Sequence, residues 1–121
     1  MLKQVAAQSL SALDYLHNTL NLVHLDIKPA NIMIEINPSD IPRIFRLGEN
    51  QQSSEMERPK KNNYLPFLNV KLIDLNGAVK MVPGASRHWN TEAYAAPETS
   101  VKGGIHFKSD VFSLGMTVSF Q

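Results

Sequence analysis

Apolar residues recur at mostly three- and four-residue steps from the start of the chain, at Leu2, Val5, Leu10, Leu13, Leu16 and Leu20. That spacing stripes one face of a helix, which Asn18 and Asn21 should end. Two short strand-like runs follow, "LVHL" (22–25) and "NIMIEI" (31–36), and the polar residues between them share their stretch with Pro29. A proline between two apolar runs places that polar cluster on a loop.

The pattern breaks near Glu35. The stretch "GENQQSSEMERPKKNN" (48–63) holds a single hydrophobic residue, Met56, and prolines stand at Pro38, Pro42, Pro59 and Pro66. Such a segment buries too little apolar surface to offset its ordering entropy. A disordered insertion is therefore expected over 37–69. Val70, Leu72 and Ile73 then predict a strand, and Asn76-Gly77 a tight turn before Ala78 and Val79. Residues 83–100 read as irregular, with Trp89, Tyr94 and Pro97 among them. "KSDVFSLGMTVSF" (108–120) reads as a buried helix with Ser109 or Asp110 as its N-cap. No internal repeat is found.

Composition narrows the function more than the fold. With 121 residues, 43% hydrophobic and 19% charged, the chain suits one modest domain or part of a larger one. A net charge of +1 gives no electrostatic case for nucleic acid or an anionic membrane as partner. The absence of cysteine excludes disulfides, thiol catalysis and Cys-ligated metal. His17, His24, His88 and His106 lack metal-ligand spacing. No apolar run approaches the ~20 residues of a membrane span, and the start lacks the features of a signal peptide, so an intracellular protein is expected.

Three stretches carry candidate chemistry. "HLDIKPAN" holds Asp26 and, five positions on, Asn31; "KLIDLNG" places Asp74 at a strand end; "NTEAYAAPE" closes on Ala96, Pro97 and Glu98. A D-x-x-x-x-N loop, then an Asp after a strand, then A-P-E resembles the C-terminal lobe of eukaryotic protein kinases. The fold implied is α+β, a partial kinase-like C-terminal lobe, mainly α-helical with a short β-hairpin around Ile32–Ile36 and Val70–Ile73. The resemblance makes 24–31 the catalytic loop, 74–98 the activation segment and 109–121 the start of a large buried helix. It implies ATP and Mg²⁺ as cofactors and a protein hydroxyl as substrate. Asp26 would be the base, Lys28 the phosphate partner, and Asn31 and Asp74 the metal ligands, with Met33 beneath adenine. Thr91 matches the Thr that bonds the catalytic Asp and Lys in Ser/Thr kinases. Lys28 likewise favours Ser/Thr over Tyr, although "HLD" with "DL" also resembles Mos and the Wee-type kinases.

The resemblance further implies that His24 packs against Leu75 as a core histidine. It implies too that Asp110 caps its own helix and holds the catalytic loop's amides. Glu98 would pair with an Arg beyond this sequence. Departures from the family pattern matter as well. Leu25 replaces the Arg that normally binds an activation-segment phosphate, which predicts activation independent of that contact at Ser86 or Thr91. Asn76 and Asn90 replace glycines, and Asn76 is expected to need a positive φ. No Gly-rich loop, strand lysine or partner glutamate occurs, so the chain reads as a kinase fragment that is inactive alone. Two alternatives stand: a pseudokinase or truncated interaction module, and a small-molecule phosphotransferase. Ala96-Pro97-Glu98 and the Lys28–Thr91 pairing argue against the last.

Overall fold

The computed structural model describes residues 2–41, 68–85, 91–101 and 104–119. Helix α1 (Leu2–Asp14) runs into one wide turn over Tyr15–Thr19, where Leu20 N–H reaches the Tyr15 carbonyl five residues back at 3.2 Å. Strand β1 (Leu22–Val23) follows, then the polar loop, then β2 (Ile32–Glu35). Later come β3 (Asn69–Leu72), β4 (Val79–Lys80) and helix α2 (Phe107–Ser119). β2 and β3 form the expected hairpin, antiparallel, with Ile32 opposite Leu72 and Glu35 opposite Asn69. The chain does not fold back at Asn76-Gly77 onto β3. A single helical turn over Leu75–Gly77 redirects it, and β4 pairs with β1, Leu22 opposite Lys80 and Val23 opposite Val79.

Two apolar clusters hold these elements. Leu13 of α1, Ile27 of the loop and Leu114 of α2 meet in one, with Ile32, Leu72 and Val118 against them. Val23, Leu25 and Ile105 form the other, covered by Val79, Met81 and Phe107. Each fully buried Leu, Ile or Val contributes roughly 1.5–3 kcal/mol. Leu25 and Ile27 thus root the loop in two different clusters and leave Asp26 held between them.

The buried face of α1 differs from the expected stripe. Ser9, Leu13, Leu16 and His17 are buried, whereas Leu2, Leu10 and Leu20 are more than 40% exposed. The wide turn adds about one residue to the helical period and so rotates His17 inward. Gln8 clamps β3 to this helix: its Oε1 accepts from Val70 N–H at 2.9 Å and its Nε2 donates to the Leu68 carbonyl.

α2 also corrects the sequence expectation. It starts at Phe107, two residues before the expected cap. The His106 ring accepts Lys108 N–H at 3.3 Å, and Ser109 Oγ accepts His106 N–H at 3.3 Å, a reciprocal arrangement. Asp110 does not cap its own helix. The buried side is lined by Ser109, Asp110, Ser113, Leu114 and Thr117, with Val111 and Phe112 outward. Ser113 and Thr117 satisfy their hydroxyls on carbonyls four residues earlier.

The structure describes residues at both ends of the expected insertion. Asn37 Oδ1 accepts Ser39 N–H to start a turn over Pro38–Asp40, Leu68 is buried, and Asn69 belongs to β3. Residues 42–67, with Met56, lie outside the described residues, as do Ser86, His88, Trp89 and Asn90.

Candidate active site

The loop between β1 and β2 is anchored from below before it presents any chemistry. Leu25 adopts φ 67°, a left-handed conformation that costs a non-glycine residue about 1–2 kcal/mol. Fully buried Asp110 offsets this cost. Its Oδ1 accepts Leu25 N–H and its Oδ2 accepts His24 N–H, both at 2.8 Å. His17 Nε2 lies 2.8 Å from the same Oδ2, and its ring stacks at 4.8 Å on Phe107. The half of the Asp110 expectation concerning the loop's amides is therefore met.

His24 is fully buried, as a core histidine should be. Its Nε2 donates to the Ile73 carbonyl at 3.0 Å and its Nδ1 accepts Asp26 N–H at 3.3 Å, so the two bonds assign the ring proton to Nε2. Leu75, the expected packing partner, is 45% exposed, and backbone groups orient the ring instead.

Around the Asp26 carboxylate three side chains converge. Thr91 Oγ1 donates to Oδ1 at 2.6 Å, and Lys28 Nζ lies 2.8 Å from Oδ2. Lys28 Nζ also donates to Thr91 Oγ1 at 3.0 Å, which closes a ring of three groups. Asn31 Nδ2 donates to Asp26 Oδ2 at 3.1 Å and to its carbonyl at 2.8 Å. Burial pushes the Asp26 carboxyl up. The hydrogen bonds from Lys28 and Thr91, the Lys28 charge and the Asn31 bond outweigh burial and hold it below the ordinary carboxylate value. Asp26 is therefore ionised at neutral pH, and its proton affinity is low.

Asn31 spends its amide nitrogen on Asp26, and its amide oxygen makes no hydrogen bond among the described residues. Its carbonyl accepts Ile73 N–H at 3.0 Å, so Asp74 follows directly on the residue bonded to Asn31. Asp74 itself turns left-handed at φ 63°, is exposed, and makes no side-chain hydrogen bond among the described residues. The positive φ expected at Asn76 thus falls on Asp74, because the chain reverses before the Leu75–Gly77 turn rather than within it. An amide oxygen and a free carboxylate on adjoining backbone fit Mg²⁺, which takes few protein oxygens and completes its shell with water and phosphate. No group of three His, Cys, Asp or Glu that could hold a metal occurs among the described residues.

The sequence-predicted residues Asp26, Lys28, Asn31 and Thr91 thus form one hydrogen-bonded group, with Asp74 tied to it through Ile73. Met33 stands apart, 49% exposed on the outer face of β2 beside the Glu35–Lys71 ion pair. His17 and Asn21 also support the site, and the sequence marks neither as doing so: His17 lacks ligand spacing, and Asn21 reads as a helix exit. Glu98 is not without a partner in this chain: Ser109 Oγ donates to its Oε1 at 2.9 Å. Gly104 closes against the same residue, since a Cβ there would sit 1.7 Å from the Glu98 carbonyl oxygen.

Residues 1–120 match the protein kinase domain family. Among curated relatives, the protein kinase-like protein SCY1 of Saccharomyces cerevisiae is 28% identical over 93% of this chain and 12% of its own length. The DNA damage response protein kinase DUN1 of the same yeast is 32% identical over 94% of this chain and 20% of its own. The Wee1-like protein kinase 2 of Gallus gallus is 29% identical over 98% and 19%. The chain thus spans a fifth or less of the length of these relatives. No helix among the described residues is long and apolar enough to cross a membrane. With its D-x-x-x-x-N loop, strand-end Asp and A-P-E held together as described, the chain belongs to the protein kinase family.

Proposed function

We propose that this chain is the catalytic portion of the C-terminal lobe of an intracellular Ser/Thr protein kinase, and that the whole protein transfers the ATP γ-phosphoryl group to protein hydroxyls. The observation that carries this reading is the closed ring of Asp26, Lys28 and Thr91. Asp26 faces the incoming hydroxyl. Because its proton affinity is lowered, it aligns that hydroxyl and accepts the proton late, once bonding to phosphorus has made the hydroxyl acidic. Lys28 places a positive charge where the transferred group carries spread negative charge. Thr91 fixes both partners, which favours Ser/Thr over Tyr as substrate. Asn31 and Asp74 would hold Mg²⁺, which supplies charge neutralisation at the phosphates when bound. Met33 would lie against the adenine face.

Leu25 supports a reading of regulation. Where a phosphate-binding cation is expected, it is 5% exposed inside an apolar cluster and offers no charge to a phosphate. Activation of this kinase is then independent of that contact.

The test is phosphoryl transfer from labelled ATP to Ser- and Thr-containing peptides by the full-length protein with Mg²⁺. Transfer that depends on Asp26 supports the reading; nucleotide binding without transfer supports the pseudokinase alternative. That alternative draws on Asn76 standing at a glycine position and on similarity to a relative described as kinase-like.

A further inference from the structure

β1 and β4 are two residues each, too short to hold together by themselves. Their ladder nevertheless continues past its end. In antiparallel register, Asn21 falls opposite Met81, one step beyond the Leu22–Lys80 pair. Met81 N–H donates to the Asn21 carbonyl at 2.9 Å. The return bond would normally come from Asn21's own N–H, but at φ 55° the backbone has turned left-handed. The side chain replaces it: Asn21 Nδ2 donates to the Met81 carbonyl at 3.0 Å. Asn is among the residues that adopt this conformation most readily, and its amide is short enough to act as a backbone substitute. Leu25, four residues on, repeats the left-handed turn, and its side chain packs in the cluster that Met81 covers.

We propose that Asn21 is a positioning residue that latches the activation segment at Met81 and, with the Leu25 cluster, holds the start of that segment without any phosphate. The proposal rests on the kinase reading for its consequence but not for its geometry. Every contact in the latch is uncharged. The segment start is therefore ordered whether or not the protein is phosphorylated, and at low and high salt alike.

Amide hydrogen exchange on the full-length protein provides the test, comparing wild type with Asn21→Gly and Asn21→Asp. Both variants keep the left-handed turn and lose the donor. If Asn21 served only that turn, Asn21→Gly would exchange as wild type does. The latch instead predicts exchange about 3- to 10-fold faster at Lys80–Ala85, the range for loss of one hydrogen bond, with α1 and α2 unchanged. Phosphatase treatment of the wild type should leave exchange in this segment unchanged. In a peptide kinase assay, kcat should fall by no more than that factor, with the KM for ATP unchanged. Unaltered exchange in Asn21→Gly, an equal rise across α1 and α2, or loosening of the wild-type segment by phosphatase would overturn the latch. The exchange measurements need no turnover, so they judge the latch separately from the kinase reading.

Discussion

Two buried aspartates serve the same loop and do different work. Asp110, fully buried, spends its oxygens on the backbone amides of His24 and Leu25 and on His17. Asp26, 8% exposed, is met by the side chains of Thr91, Lys28 and Asn31. A carboxylate that satisfies buried amides cannot be removed without stranding them, whereas one held by side chains near solvent can. Asp110 is thus a stability residue, and Asp26, on the proposed function, is the one whose loss falls on chemistry.

Three substitutions and a titration test that contrast in the full-length protein. Asp110→Ala leaves the His24 and Leu25 amides and the His17 ring unpaired in the interior. We expect a loss of about 3–5 kcal/mol in urea unfolding, enough to prevent folding in a marginal domain. Asp26→Asn should cost roughly 10²- to 10⁴-fold in kcat while unfolding moves by no more than about 1 kcal/mol. An Asp26→Asn protein as unstable as Asp110→Ala would erase the distinction. Thr91→Val removes the hydroxyl that closes the ring, with an expected cost of about 0.5–1.5 kcal/mol in stability. A circular-dichroism melt and the peptide assay together show whether that hydroxyl aligns Lys28 or merely packs.

The smallest effect is acid sensitivity. The folded pKa of Asp26 lies below its unfolded value, so its contribution is fully present above the unfolded carboxylate range. It is lost as pH falls through the lowered folded value. The gap in melting temperature between wild type and Asp26→Asn should stay constant above that acidic window and close as pH falls through it. A gap that changes near neutrality would contradict the geometry around Asp26.

What could be read from the residues alone follows the distance over which each interaction acts. The hairpin was legible because the alternation in "NIMIEI" and "NVKL" is local and its apolar face must be buried. Asp26, Lys28, Asn31 and Thr91 were legible because their spacing and order resemble a known family. The helix caps and faces were not. A stripe of leucines predicts a helix but does not say which neighbour it meets, so Leu10 and Leu20 point outward while Ser9 and His17 turn in. Asp110 sits where a cap belongs in sequence, yet its partners lie 85 and 86 residues away. Asn21 reads as a helix exit, and nothing local marks the strand end, 60 residues on, that it bonds.

The β2–β3 register has a consequence of another kind. Because Glu35 lies directly across from Asn69, the two ends of the stretch between β2 and β3 stand at neighbouring points, about 5 Å apart. Gln8 and Leu68 secure the returning end independently of what lies between. Lengthening the intervening stretch twofold then costs only about 0.6 kcal/mol in loop closure. That stretch can be shortened, extended or exchanged for a foreign module while the groups around Asp26 keep their places. The hairpin is therefore an open port for new sequence beside that fixed cluster.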